Sequence, residues 1–376
     1  MKLTRRQFIQ IAGSAAVLAA GSGLTRRWWG LDPDPLRDPE TDGDAVVASM
    51  CEMCFWKCGI QGHVKQGRLV KVVGNPAHPL SRGRLCPRGV GALGLAYDPD
   101  RLTKPLLRRQ KRGEQVFEAV SWDAALSETA AKLDDIRKKH GPEALALFVH
   151  GHGGTWFHTL VSAFGSPNVG QPSFAQCRGP RDVGFALTYG QGVGSPENTD
   201  IANARCLVLI GSHLGENMHN TQVQDFAQAV NARADIIVVD PRFSTAAGKA
   251  KYWLPIKPGT DTALLLAWMH VILTENRYDA DYLSKYASGL DALKAHVKDK
   301  TPEWAYTQTG IAPELIAETA RVIAGARPAT LIHPGRHVAW YGNDTQRSRA
   351  IAILSALLGS WGHRGGYAIL PKMPLA

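Results

Sequence analysis

Four cysteines early in the chain read Cys51-x2-Cys54-x3-Cys58-x27-Cys86, three close together and one returning from a distance. Thiols this close are too crowded for a framework of native disulfide bridges, even in an exported protein, and the spacing suits a metal. Four thiolates serve either a structural zinc or a [4Fe–4S] cluster. A zinc ribbon supplies its ligands as two short knuckles, whereas Cys86 stands alone ahead of Pro87. The cluster is the first reading, with zinc and a disulfide scaffold as the alternatives. Between the two parts of the motif, residues 61–73 alternate polar and apolar around Gly67. That alternation predicts a hairpin that folds Cys86 back toward the other three.

Taken with the Pro87-Arg88-Gly89 that follows, this cysteine run resembles the N-terminal iron–sulfur domain of the molybdopterin oxidoreductase family. Dimethyl sulfoxide reductase, periplasmic nitrate reductase, formate dehydrogenase and polysulfide/thiosulfate reductase belong to it. The resemblance implies that Arg88, two residues past the last cysteine, lies on the electron path between cluster and pterin. Many members carry Lys there; Arg keeps the charge with a different geometry. Cys177 lies in a Gly/Pro-rich stretch, residues 166–180, that shows no helical or strand period. The resemblance makes it the protein ligand to molybdenum, filling the position that pterin dithiolenes leave open; an inert loop thiol is the alternative. This loop is most similar to that of polysulfide/thiosulfate reductases. Cys206, at the head of an apolar run, reads as a small buried hydrophobe.

The elements that must position these groups are readable further along. Ser121 caps a helix whose apolar face is Ala125, Leu126, Ala130 and Leu133. Residues 144–149 read as a buried strand entering a glycine-rich turn, residues 150–155, with His150, His152 and later His158 as loop-packing or pterin-contact residues and zinc as the alternative. A second strand spans residues 206–211, a loop follows to Asn220, and residues 221–231 form a helix before a third strand over residues 236–240. Such alternation implies a parallel sheet with ligands at the carboxyl ends of its strands. By resemblance these loops hold the guanosine ends of a bis(molybdopterin guanine dinucleotide) carrying Mo or W. The implied contacts are Gly211, Ser212, Glu216, Asn217, Asp240, Arg242, Ser244, Gly259 and Asp261. Asp240 is otherwise a turn residue before proline, and Asp261 otherwise a helix cap. Arg178, Arg336 and His337 are candidates for an anionic substrate, the last two in another strand-to-glycine loop.

The remaining signals are global. The chain has 376 residues, 44% apolar and 20% charged, which excludes a disordered tail, a collagen-like rod and a coiled coil. Its net charge of +10 is spread along the chain without interleaved aromatic residues, so anionic ligands explain it and nucleic acid is not expected as a partner. Arg5-Arg6 ahead of the weakly apolar stretch of residues 11–24 reads as a twin-arginine export signal, the stretch being too short to span a bilayer core of ~30 Å. The expected organisation is a signal over residues 1–27, a linker over 28–44, an iron–sulfur domain over 45–105 and a pterin-binding α/β region over 106–376. The fold class is α/β with Rossmann-like parallel sheets, lacking the family's C-terminal β-barrel-like domain. The expected function is an exported molybdenum oxidoreductase catalytic subunit, or its N-terminal part, acting on polysulfide or thiosulfate. Tetrathionate, arsenate and sulfite are alternative substrates. Expected partners are an iron–sulfur electron-transfer subunit and a membrane quinone-interacting subunit, at the outer face of the cytoplasmic membrane or in the periplasm. The alternative function is a non-catalytic iron–sulfur scaffold subunit.

Overall fold

The structure, a computed structural model, describes residues 44–54, 57–149, 154–171, 178–194, 197–212, 214, 220–335 and 342–369. The chain divides into two compact units at Arg101/Leu102.

The first unit is an antiparallel meander of β1 (Ala45–Met50), β2 (Gly59–Lys65) and β3 (Arg68–Gly74), followed by two short helices, α1 (Pro87–Val90) and α2 (Ala92–Ala96). Met50 pairs with Gly59, so residues 51–58 form the β1–β2 connection. The expected hairpin is β2–β3, closed through Gln66 and Gly67, both with positive φ, the geometry that matches the twist of the flanking strands. β3 ends at Gly74, opposite Ile60, and so returns the chain to the end of the sheet where Cys58 lies.

In the second unit, β4 (Leu106–Leu107) and β5 (Glu118–Ala119) form a small antiparallel pair. Helix α3 (Trp122–His140) starts where predicted, the Ser121 hydroxyl accepting from the Ala124 amide. Its expected packing face is not formed among the described residues: Trp122 is 66% and Leu126 60% exposed, and no residue of the helix is buried. The expected buried strand is also reduced. Only β6 (Leu147–Phe148) forms, parallel to β7 (Val169–Gly170), and Phe148 is exposed. Between them runs α4 (Gly154–Phe164), and α5 (Gly179–Tyr189) follows.

The main sheet comprises β8 (Cys206–Ile210), β9 (Asp235–Val239), β10 (Tyr252–Leu254) and β11 (Thr330–Ile332), all parallel, in the order β10-β9-β8-β11. Every residue of β8 is buried, as a strand covered on both faces must be. Helix α6 (Asn220–Asn231) makes the crossover from β8 to β9. After β10 come α7 (Asp261–Thr274), α8 (Ala280–Tyr286), α9 (Leu290–Val297), α10 (Pro302–Thr309) and α11 (Pro313–Gly325), and the chain then re-enters the sheet as β11 on the far side of β8. Helix α7 is apolar around most of its circumference and is the central helix of the core, with fully buried Trp268 donating through Nε1 to Thr319 at 3.0 Å. Helix α12 (Asp344–Leu357) packs on α5. No closed barrel occurs among the described residues, and no helix there is long and apolar enough to cross a membrane.

Candidate cofactor site

In the first unit, Cys51, Cys54, Cys58 and Cys86 are all unbridged, with Cys51 and Cys58 buried. The loop bearing three of them is closed by the Cys51 amide donating to the Cys58 carbonyl at 2.8 Å and by a Lys57–Glu52 ion pair. The return of the fourth depends on close backbone approach: a methyl group on Gly74 would overlap the carbonyl of Gly83, three residues before Cys86. Cys86 then stands at the N-terminus of α1. Burial, the largest influence on its thiol, pushes the pKa up, but the Gly89 and Arg88 amides and the Arg88 guanidinium together hold it below the ordinary value. That environment favours a thiolate. Among the described residues no three His, Cys, Asp or Glu side chains converge tightly enough for a single ion. Four unbridged thiols, one of them held toward its thiolate, are the donor set that a [4Fe–4S] cluster takes. Cys206 differs: fully buried in β8, its thiol is driven up by burial and stays neutral.

In the second unit, β9 and β10 extend to one side of β8 while β11 lies on the other, so the direction of winding reverses between β8 and β11. A parallel sheet opens a crevice at the carboxyl ends of its strands at such a reversal. The predicted contacts that lie among the described residues fall along this edge. Gly211 and Ser212 follow β8, Gly211 with φ +58° and open space around its α-carbon, so its glycine meets a conformational need and not a crowded one. Asp240 follows β9, buried, with Oδ1 accepting from the Arg242 amide at 2.8 Å. Buried Ser244 accepts from the Ala247 amide at 3.2 Å, and Arg242 is exposed. Gly259, at φ +83°, turns the chain after β10 into α7, whose first residue is Asp261. Asp261 is not a side-chain cap; its Oδ2 accepts from Arg347 Nε at 2.6 Å. His158 is hydrogen-bonded to Gln171, and Arg178 pairs with Asp182. Arg88 lies in the first unit, exposed on α1. Cys177, Glu216, Asn217, Arg336, His337, His150, His152 and Arg5-Arg6 lie outside the described residues.

The structure adds residues that the sequence did not single out. Arg347 of α12 reaches the edge beside Gly211: its Nη2 donates to the Ile210 carbonyl at 3.2 Å and its buried Nη1 has no hydrogen-bond partner among the described residues. Gln222 Oε1, His333 Nε2, Ser348 Oγ and Ser360 Oγ are likewise buried without partners among the described residues. His333 Nδ1 accepts from the Gly335 amide, so the neutral ring carries its proton on Nε2. Burial chiefly, with Arg181 adding and Glu197 opposing, lowers the His333 pKa to about 4. An unpaired guanidinium N–H, an imidazole N–H and an amide oxygen at a switch-point edge fit a ligand with phosphates and a polar heterocycle.

Residues 44–98 match the model of the molybdopterin oxidoreductase Fe4S4 domain, and residues 101–371 that of molybdopterin oxidoreductase. The chain belongs to the molybdopterin oxidoreductase family. The cofactors of these two domains are a [4Fe–4S] cluster and molybdenum held by molybdopterin. The chain is 33% identical to the thiosulfate reductase molybdopterin-containing subunit of Salmonella typhimurium over 97% of its own length and 47% of that protein's. It is 32% identical to a dimethyl sulfoxide reductase of Haemophilus influenzae, covering 97% of this chain and 50% of that one. An arsenate respiratory reductase subunit of Shewanella is 30% identical, covering 100% and 48%. The molybdopterin oxidoreductase chain thus spans about half the length of the curated relatives it matches. Acetylene hydratase from Pelobacter acetylenicus has a similar fold, with a TM-score of 0.71 and 29% identity over 84% of this chain and 43% of that one.

Proposed function

We propose that this chain forms the N-terminal, cluster-bearing part of an exported molybdenum oxidoreductase that reduces a sulfur compound such as thiosulfate or polysulfide. The observation that carries this reading is the 33% identity with a thiosulfate reductase subunit along 97% of the chain. In it, Cys51, Cys54, Cys58 and Cys86 ligate the cluster, and Arg88 supplies the cation between cluster and pterin. Cys177 ligates molybdenum. Gly211, Ser212, Glu216, Asn217, Asp240, Arg242, Ser244, Gly259 and Asp261 hold a bis(molybdopterin guanine dinucleotide), and Arg336 and His337 bind the anionic substrate. When bound, the metal supplies two-electron redox chemistry and an exchangeable ligand position. The polypeptide orients the dinucleotide along the carboxyl edge of the sheet, neutralises its phosphates with fixed cations, and supplies four cysteines to the cluster, Cys86 among amides and a guanidinium that favour its thiolate. Electrons arrive from an iron–sulfur subunit linked to a membrane quinone subunit, an assignment supported by the relatedness to respiratory reductases. Arg5-Arg6 direct export of the folded, loaded chain.

Metal analysis of the anaerobically purified chain tests this directly. About four Fe and one Mo or W per chain is the expected result. Iron without Mo or W overturns the catalytic reading of this chain, and one zinc without iron overturns the cluster. The similar solved structure is named a hydratase, so redox turnover needs its own assay: oxidation of a reduced viologen by thiosulfate, polysulfide, tetrathionate, arsenate or sulfite. Changing Arg5-Arg6 to Lys-Lys is expected to retain the loaded protein inside the cell; unchanged export removes the signal assignment.

A further inference from the structure

The last carbonyl of β8 lies where the sheet reverses its direction of winding. The His333 amide donates to the Val208 carbonyl at 2.8 Å, so a longer β11 would bring the Gly335 amide to the Ile210 carbonyl, two residues on in both strands. That amide donates to His333 Nδ1 at 3.1 Å instead, and β11 ends at Ile332. A side chain takes the place of the strand: Arg347 Nη2 donates to the Ile210 carbonyl at 3.2 Å. Its Nε donates to Asp261 Oδ2 at 2.6 Å, which ties the end of β8 to the first residue of α7. The guanidinium therefore lies in the crevice at the reversal, on the β11 side of β8, with 9% of the side chain exposed. Its third nitrogen, Nη1, is buried and carries two N–H groups with no partner among the described residues.

We propose that Arg347 is a ligand-binding residue of this crevice, its Nη1 donating to an acceptor oxygen of the bound dinucleotide, either a phosphoryl oxygen or the carbonyl of its base. The inference rests on the function proposed above and adds to it a contact from α12, outside the loops that follow β8, β9 and β10. A charged donor sealed from water with no acceptor is costly, and a bound oxygen removes that cost. The other two corners of the guanidinium are fixed by Asp261 and a strand carbonyl. The free corner is thus held in place before a ligand arrives, and little side-chain freedom is left to lose on binding. Because Asp261 balances the charge, Nη1 acts as a directional donor and not as a bare cation, which is why a carbonyl qualifies as well as a phosphoryl oxygen. Lys cannot reproduce the arrangement: three donors on one nitrogen do not reach Asp261, the Ile210 carbonyl and a ligand oxygen together. Arg349, two residues on in the same helix, is exposed and serves as the control.

The test uses the full chain purified without its pterin cofactor. Wild type, Arg347→Lys, Arg347→Gln and Arg349→Lys are titrated calorimetrically with GDP, guanosine and inorganic pyrophosphate. Both Arg347 variants are expected to bind GDP about tenfold more weakly or worse, and Arg349→Lys to bind it as wild type does. A matching loss with pyrophosphate but not guanosine makes the acceptor a phosphoryl oxygen, and the reverse pattern makes it the base carbonyl; either supports the contact. Wild-type GDP affinity in both Arg347 variants, or an equal loss in Arg349→Lys, overturns the contact alone and leaves the dinucleotide reading standing. Failure of wild type to bind any of the three probes removes the dinucleotide reading of this edge and the contact with it. Hydrogen exchange in β8 and α7 is followed in the same samples and is expected to keep wild-type protection. Its collapse in both Arg347 variants overturns the proposal by making Arg347 a scaffold residue.

Discussion

Cys206 lies in the middle of a parallel sheet with no exposed surface, where burial keeps its thiol protonated, whereas Cys86 stands at a helix start with two amides and a guanidinium favouring its thiolate. The two should respond oppositely to substitution. Cys58→Ala and Cys86→Ser are expected to lower bound iron and remove the visible cluster absorption. Cys206→Ala is expected to leave iron at the wild-type level and to cost about 1 kcal/mol of stability in denaturant titration. Equal iron loss in all three would break the distinction. His333 gives a second prediction. Its folded-state pKa of about 4 lies below the ordinary histidine value, so under acid the unfolded chain takes up a proton that the folded chain refuses. The stabilisation is present above the unfolded pKa of about 6.5 and is lost as pH falls toward the folded value, by up to roughly 3 kcal/mol. His333→Asn keeps an acceptor for the Gly335 amide without the titration. The variant's stability should therefore fall less steeply than wild type between these pH values, and parallel curves would refute the assignment.

At the scale of elements, Gly74 joins the hairpin to the segment carrying Cys86. A side chain there overlaps the Gly83 backbone, which cannot move without displacing the last cysteine. Gly74→Ala is expected to cost about 1–3 kcal/mol and to lower iron content. Gly94→Ala, on α2 with open space around it, should do neither; iron assays on the two variants decide it. The hairpin was legible because period-2 alternation around a glycine turn is local information, and so were β8, α6 and β9, whose apolar runs and polar helix alternate in order. Other features were not local. The face of α3 has the right spacing yet stays exposed, because spacing states what a helix could bury and not whether a partner reaches it. The crevice depends on β11, three residues long and far along the chain, taking the place beside β8. Arg181, Glu197, Gln222 and Arg347 left no pattern either: a charged residue buried by partners up to 154 positions away looks in sequence like any surface charge.

For the whole molecule, the two compact units differ in what holds them together. The second has a continuous apolar core built on β8, β9 and α7. Among the described residues of the first, the buried apolar side chains are few: Cys51, Cys58 and Val72, two of them proposed cluster ligands, while Val46, Val47, Met50 and Leu80 are about half exposed or more. A domain of this size with so small a core is marginal unless a metal, disulfides or a partner supplies the missing stability, and its thiols are unbridged. Binding that exists only in the folded state adds directly to folding free energy, so the cluster is expected to be a structural requirement of the first unit as well as its redox group. Two predictions separate this from a cluster that merely occupies a pre-folded site. Removal of iron with an anaerobic chelator should abolish amide-exchange protection in β2 and β3 and leave β8, β9 and α7 at their iron-loaded levels. In calorimetry the same treatment should remove or lower one transition and leave the other in place, since the chain divides into two compact units. Retained protection of the β2–β3 hairpin after complete iron loss would show that the meander stands without the cluster, and parallel loss in both units would show that they do not unfold as separate cores.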